Sequence, residues 1–210
     1  YTSANTDAIT IDYSARTSAD ADSATVLSDG ETDGLITITG GTGEDTVTAG
    51  DGGVIFTGGA GADTLTGHAG VDTFITAATY ALNGTDVITG FTTTSDKLNL
   101  NAITADTAST AITGSITPAA AKVYYLSGDL NDSTGTLDAT IATDISGGAI
   151  WADSTVLSYI LLADTGATDN TADAALFSWQ DAGTDEVVSG ELTLMAHITG
   201  TVATGDLLFA

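Results

Sequence analysis

Three aspartates, Asp45, Asp63 and Asp72, lie 18 and nine residues apart in a stretch where glycine recurs with the same period. Carboxylates are hard oxygen donors, and a strict repeat brings like charges together wherever the backbone repeats its geometry. The chemistry open to such a set is capture of a hard divalent cation, shared between carboxylates and backbone carbonyls.

The elements that position these residues follow from the repeat. In register the four units are GGTGEDTVT (Gly40 to Thr48), AGDGGVIFT (Ala49 to Thr57), GGAGADTLT (Gly58 to Thr66) and GHAGVDTFI (Gly67 to Ile75). Glycine favours the first, second and fourth positions, Asp the sixth, and the eighth is always large and apolar: Val47, Phe56, Leu65 and Phe74. Six turn-forming residues followed by a tripeptide with one inward apolar side chain make half a coil, and two units close one. Units of the same parity then stack, which sets Asp45 over Asp63 and Val54 over Asp72, with coils roughly 4.8 Å apart. Two carboxylates about 5 Å apart repel by roughly 3 kcal/mol at an effective dielectric near 20. A cation between them reverses that sign. Calcium suits the place because it accepts six to eight oxygens in flexible geometry.

The nonapeptide resembles the calcium-binding β-roll repeat of RTX proteins. That resemblance implies a Ca²⁺ cofactor, with carbonyl ligands from Gly41, Gly43, Gly59 and Gly61 beside the aspartates. Asp45 and Asp63 form the principal expected site. Val54 replaces the Asp of the second unit and His68 a Gly of the fourth, so Asp72 needs a helper, for which Asp51 is the candidate. Glu31 to Thr39 fits the frame only through Gly34 and Ile38 and reads as a degenerate cap. The alternative is a metal-free β-solenoid whose aspartates only favour turns.

Composition narrows the function classes. The chain has 210 residues, 28 acidic against 3 basic, and a formal net charge of -25. Such a charge repels polyanions, so nucleic acid is excluded as a partner, while divalent cations are natural counterions. Mean hydropathy of +0.22 opposes disorder. There is no Cys and one Pro, Pro118, so no disulfide staples the fold and metal ions must take that part. No apolar run approaches the roughly 18 to 20 residues of a membrane-spanning helix. With Tyr1 first and no charged-then-apolar leader, the chain reads as a fragment or processed product.

The expected fold class is all-β: a short calcium-binding parallel β-roll, flanked on its C-terminal side by further strands as an antiparallel sandwich or an extended roll. The expected division is a β flank at 1–30, the roll with its closing segment at 31–100, and a C-terminal β domain at 101–210. GTDVITGF (Gly84 to Phe91) and SDKLNL (Ser95 to Leu100) resemble the segment that closes the roll in serralysin-type proteases and other RTX exoproteins. Asp86 and Asp96 are there ion ligands or turn caps. Farther on, period-two alternation predicts strands over Lys122 to Leu126, Leu137 to Ile145, Ala149 to Ala152, Val156 to Leu162, Ala175 to Trp179, Glu191 to Ile198 and Asp206 to Phe209, with Leu157 to Leu162 open to helix. The ending Asp206-Leu207-Leu208-Phe209-Ala210 resembles the acidic-then-apolar terminus of type I secretion substrates.

Catalytic signatures are missing: the chain has no HExxH, GxSxG, Cys nucleophile or phosphate loop. His68 reads as a turn residue and His197 as a half-buried strand residue. Trp151 and Trp179 read as core before sugar platform. Acidic groups at Asp129 and Asp132, at Asp164, Asp169 and Asp173, and at Asp181, Asp185 and Glu186 read as solvated loops or further calcium sites. The resulting expectation is a non-enzymatic extracellular or cell-surface protein, most similar to RTX-containing surface-layer proteins. Its expected partners are copies of itself, with cell-surface polysaccharide as a further candidate. The alternatives are an RTX export and folding module serving an upstream enzyme, and an adhesin that binds glycan or ice.

Overall fold

The computed structural model describes residues 9–12, 22–25, 36–77, 83–100, 114–116, 123–128, 149–151, 158–164, 173–179 and 192–209. Its strands are β1 (Ile9–Asp12), β2 (Asp22–Thr25), β3 (Ile36–Thr39), β4 (Asp45–Thr48), β5 (Val54–Thr57), β6 (Thr64–Thr66), β7 (Thr73–Ile75), β8 (Asp86–Thr89) and β9 (Lys97–Leu100), followed by β10 (Gly114–Ile116), β11 (Val123–Gly128), β12 (Ala149–Trp151), β13 (Ser158–Asp164), β14 (Asp173–Trp179), β15 (Leu192–Thr199) and β16 (Leu207–Phe209). The fold is all-β with a parallel roll at its centre.

Successive half-coils alternate between two sheets. One has the order β1-β3-β5-β7-β9-β16, and the other runs β11-β13-β14-β15-β8-β6-β4-β2. Pairing is parallel and in register, Val47 with Leu65 in one sheet and Phe56 with Phe74 in the other. Every second residue turns inward, so Ile36, Ile38, Val54, Phe56, Phe74, Leu98 and Leu100 from one sheet meet Val47, Leu65 and Ile88 from the other in a dry core. The Phe56 and Phe74 rings stack at 5.1 Å, and Phe91 continues the column at 6.0 Å from Phe74. All four eighth-position residues of the repeat are buried.

The roll extends beyond the nonapeptides in both directions. Glu31 to Thr39 was expected as a degenerate cap; its strand β3 is an ordinary rung, pairing Ile36 with Val54 and Ile38 with Phe56. Inward alternation suffices for a rung, whereas Gly and Asp are demanded only by the tight turn. Upstream, β1 pairs with β3 and β2 with β4, which brings Asp22 into register with Asp45.

Downstream, β8 and β9 form the next coil, and a final coil comes from far along the chain. Strand β15 joins β8 in parallel and β16 joins β9, with Leu207 opposite Leu98. From β15 the sheet continues antiparallel to β14 and β13, then parallel to β11. The C-terminal strands therefore prolong a sheet of the roll. Of Leu157 to Leu162, open to helix from sequence, residues 158–162 belong to β13, while 157 and 137–145 lie outside the described residues. Residues of both parities are buried along β14, from Ala174 to Trp179, so that strand is covered on both faces. Among the described residues no helix is long and apolar enough to cross a membrane.

Candidate metal centre in the turns of the roll

The turns stack on the two flanks of the roll as the strands do on its faces. On one flank Asp45, Asp63 and Asp86 form a column; on the other, Val54 is followed by Asp72 and Asp96. All five aspartates are buried. One oxygen of each binds the N–H of the residue above it in the column or of its own turn. Asp63 Oδ1 accepts the Asp45 N–H at 2.9 Å, and Asp86 Oδ1 the Asp63 N–H at 3.1 Å. On the second flank Asp72 Oδ1 accepts the Val54 N–H and Asp96 Oδ1 the Asp72 N–H, each at 2.9 Å.

The second oxygen closes the turn. Asp45 Oδ2 accepts the Gly41 N–H at 2.8 Å, Asp72 Oδ2 that of His68 at 3.0 Å, and Asp96 Oδ2 that of Thr92 at 2.7 Å. Asp86 Oδ2 receives the side-chain amide of Asn83 at 2.8 Å. Asp63 departs from this pattern: its Oδ2 is buried and has no hydrogen-bond partner. A carboxylate oxygen in that position costs free energy until a cation or proton meets it.

Electrostatics follow the geometry. Burial pushes the Asp63 carboxyl up to about 6, opposed by the Asp45 N–H and reinforced by the charges of Asp45 and Glu44. Burial pushes Asp86 further, to about 8, against the hydrogen bonds from the Asp63 N–H and Asn83 and with the Asp63 charge adding to the rise. Asp72 is also raised, by burial first, with Asp96 adding to the effect and the His68 and Val54 N–H groups opposing it.

Backbone oxygen packs closely around the first column. Gly59 and Gly61 have φ of +106° and +127°. A Cβ on Gly59 would run into the carbonyl oxygen of Gly41, and one on Gly61 into that of Gly43. Glycine is required at both positions by backbone handedness and by close approach. Among the described residues no three His, Cys, Asp or Glu side chains converge into a metal cluster. A cation in these turns would therefore draw on carbonyl oxygens as well as carboxylates. That donor set, with the orphaned Asp63 oxygen, fits a hard ion such as calcium.

The expected site residues fall in two places. Asp45, Asp63 and Asp86 share a flank with Gly41, Gly43, Gly59 and Gly61, and Asp72 stands on the opposite flank. Asp51 does not assist Asp72, as its side chain is exposed and paired with His68 Nδ1 at 2.6 Å. The residue beneath Asp72 is Asp96, placed there by a longer loop that hides the period. Asn83 was missed for the same reason: it lies outside the nonapeptide frame yet is buried, accepting the Ala77 N–H and donating to Asp86 and the Met195 carbonyl. Asp206 was legible only as part of an acidic tail. It is buried beside the Thr204–Asp206 turn of 3₁₀ helix, accepting from Thr93 Oγ1 at 2.7 Å, the N–H groups of Thr94 and Ala203 at 3.0 Å each, and Lys97 Nζ at 3.4 Å.

The other candidate groups are placed as follows. His197 Nε2 lies 2.9 Å from Asp173 Oδ2, and Trp179 is buried. The side chains of Trp151 and Asp164, and the acidic positions 129, 132, 169, 181, 185 and 186, lie outside the described residues.

A search among curated proteins returns no match to the chain. A family model does match over residues 39–74, that of the RTX calcium-binding nonapeptide repeat in four copies. With aspartates stacked in its turns and apolar residues alternating inward from its strands, this segment has the geometry that the matched repeat pattern requires.

Proposed function

We propose that this chain is a non-enzymatic extracellular structural protein whose roll folds on calcium and then associates with its own copies into a surface layer or fibre. The observation that carries the calcium step is the column of buried carboxylates with the unpartnered Asp63 Oδ2. Without a cation the column holds charge in a dry place. With one, the binding free energy becomes folding free energy through mass action, about 2.7 kcal/mol at a hundredfold excess of ion over its dissociation constant.

In this reading Asp63 and Asp45, with the carbonyls of Gly41, Gly43, Gly59 and Gly61, hold the principal ion. Asp86 extends that column, and Asp72 serves the opposite flank. Extracellular calcium modules bind at about 10⁻⁴ to 10⁻³ M, which sets the switch between a calcium-poor cytosol and the outside. Association is the expectation drawn from composition, a chain rich in Thr, Ala, Gly and Asp and poor in Lys and Arg.

Two measurements on the purified protein test the proposal. Circular dichroism during a calcium titration should show a cooperative gain of β structure that chelator reverses. Electron microscopy at saturating calcium should show ordered sheets or filaments. Folding that ignores calcium sinks the first step. A protein that folds with calcium yet stays monomeric is instead the folding module of a larger secreted protein.

A further inference from the structure

On the flank of Asp45, Asp63 and Asp86, successive turns run from Gly40 to Asp45, from Gly58 to Asp63 and from Thr76 to Asp86, each ending on its aspartate. The second carboxylate oxygen is met differently in each. Asp45 Oδ2 takes the N–H of the turn's second residue, Gly41, at 2.8 Å, whereas Asp63 Oδ2 has no partner. In the third turn the N–H of the second residue, Ala77, goes to Asn83 Oδ1 at 2.7 Å, and Asn83 Nδ2 reaches Asp86 Oδ2 at 2.8 Å. A carboxamide is thus interposed between the backbone donor and the carboxylate.

Asn83 Nδ2 draws further oxygens around itself. It donates to the Met195 carbonyl at 3.0 Å and to the Gly84 carbonyl at 3.4 Å. The partners fix the amide's orientation, since only its oxygen can accept the Ala77 N–H and only its NH₂ can donate to a carboxylate and to carbonyls. Asn83 is 1% exposed and Asp86 2%. Gly84 continues the glycine column: its φ is +76°, and a Cβ there would run into the Gly61 carbonyl oxygen as one on Gly61 would run into that of Gly43. A carboxylate oxygen, a turn carbonyl and a carbonyl from β15 therefore converge on one buried atom. A hard cation collects oxygens of these kinds, and this set lies one coil below the unpartnered Asp63 oxygen.

We infer that Asn83 Nδ2 fills a latent calcium position, closing the last turn of this flank without an ion and tying it to β15. The inference rests on the calcium reading of the Asp63 column and sets where that column ends. Asp86 keeps its place in the column through Oδ1, which accepts the Asp63 N–H, while the amide engages Oδ2. Thr85 Oγ1 adds a bond to the Leu194 carbonyl at 3.1 Å, so the junction with β15 is made by neutral donors and needs no metal.

Asn83→Asp opens the position, because it puts a carboxylate oxygen where the nitrogen was and keeps an acceptor for the Ala77 N–H. In the full chain, calcium ions bound per molecule are counted by equilibrium dialysis, and melting is followed by circular dichroism in chelator and in calcium. Asn83→Asp should bind one calcium more than the parent, melt about 6–12 °C lower in chelator because two carboxylates then face each other, and recover in calcium. Swapping the pair, Asn83→Asp with Asp86→Asn, restores one carboxylate and one amide and should return the count to that of the parent. The inference is overturned if Asn83→Asp folds with the parent's count, if calcium does not rescue its folding, or if the swapped protein keeps the extra ion. A parent that binds no calcium, beside an Asn83→Asp protein that binds one, would instead refute the reading of Asp63 and leave this inference standing.

Discussion

Replacing Asp63 by Asn should invert the calcium dependence of stability. In the metal-free protein at neutral pH, the Asp63 carboxyl, pushed by burial from the ordinary carboxylate range up to about 6, loses its proton in a buried position where Oδ2 has no partner. A rise of about two pH units corresponds to roughly 3 kcal/mol of destabilisation once the group is ionised. Asn keeps an oxygen to accept the Asp45 N–H, now made at 2.9 Å, and removes the charge. In chelator, Asp63→Asn should therefore be as stable as the parent or more so, by up to about 3 kcal/mol, or about 6–12 °C in melting temperature for a domain of this size. In saturating calcium the order reverses, because the parent gains about 2.7 kcal/mol or more from ion binding and the variant loses an anionic ligand. Thermal melts by circular dichroism, with chelator and with calcium, read both arms. If parent and variant shift equally on calcium addition, Asp63 is no ligand and the principal site is misassigned. If the variant is markedly less stable in chelator, its carboxylate is not the burden that its burial implies.

Asp51→Ala removes an exposed pair with His68 and should change stability by less than about 1 kcal/mol with no shift in calcium midpoint, in contrast to Asp63→Ala, which should move that midpoint upward in the same titration. Gly61→Ala forces a side chain into a left-handed backbone and against the Gly43 carbonyl; a loss of about 2–4 kcal/mol is expected in denaturant melts, and a neutral result would mean the turns are not pressed together. Metal-free stability should fall as pH rises from about 4 to about 8, because raised carboxyls at Asp63 and Asp86 let the folded chain keep protons that the unfolded chain releases; a flat or rising profile in chelator would contradict this. Asp206 has the opposite sign: burial would raise its carboxyl, but hydrogen bonds from Thr93, Ala203 and Thr94 and the Lys97 charge hold it below the usual range. Its contribution is present above the ordinary carboxylate pKa and lost as pH falls through the lowered one, so Asp206→Asn should cost about 1–3 kcal/mol at neutral pH and progressively less in strong acid, measured by urea unfolding.

The nonapeptide part of the roll is legible from its residues alone. Within the nonapeptides each coil packs on the next at an offset of 18 residues, so one period encodes the turns, the inward Val47, Phe56, Leu65 and Phe74, and the stacking of Asp45 on Asp63. Local repetition is legible because the same contact is written many times over. What closes the roll, and how its carboxylates are satisfied, emerges only from long-range packing. β15 reaches β8, and Asp206 reaches Thr93 and Lys97, across about a hundred residues with no period linking them. Such pairings are selected by edge complementarity and by which buried donors need an acceptor, and neither is written in local spacing. The same holds for Asn83 donating to the Met195 carbonyl and for Asp96 beneath Asp72, where a longer loop shifts the frame while the stacking of strands preserves the column. That Asp63 alone among the five column aspartates keeps a fully buried oxygen without a partner is visible only once every N–H around it has been placed.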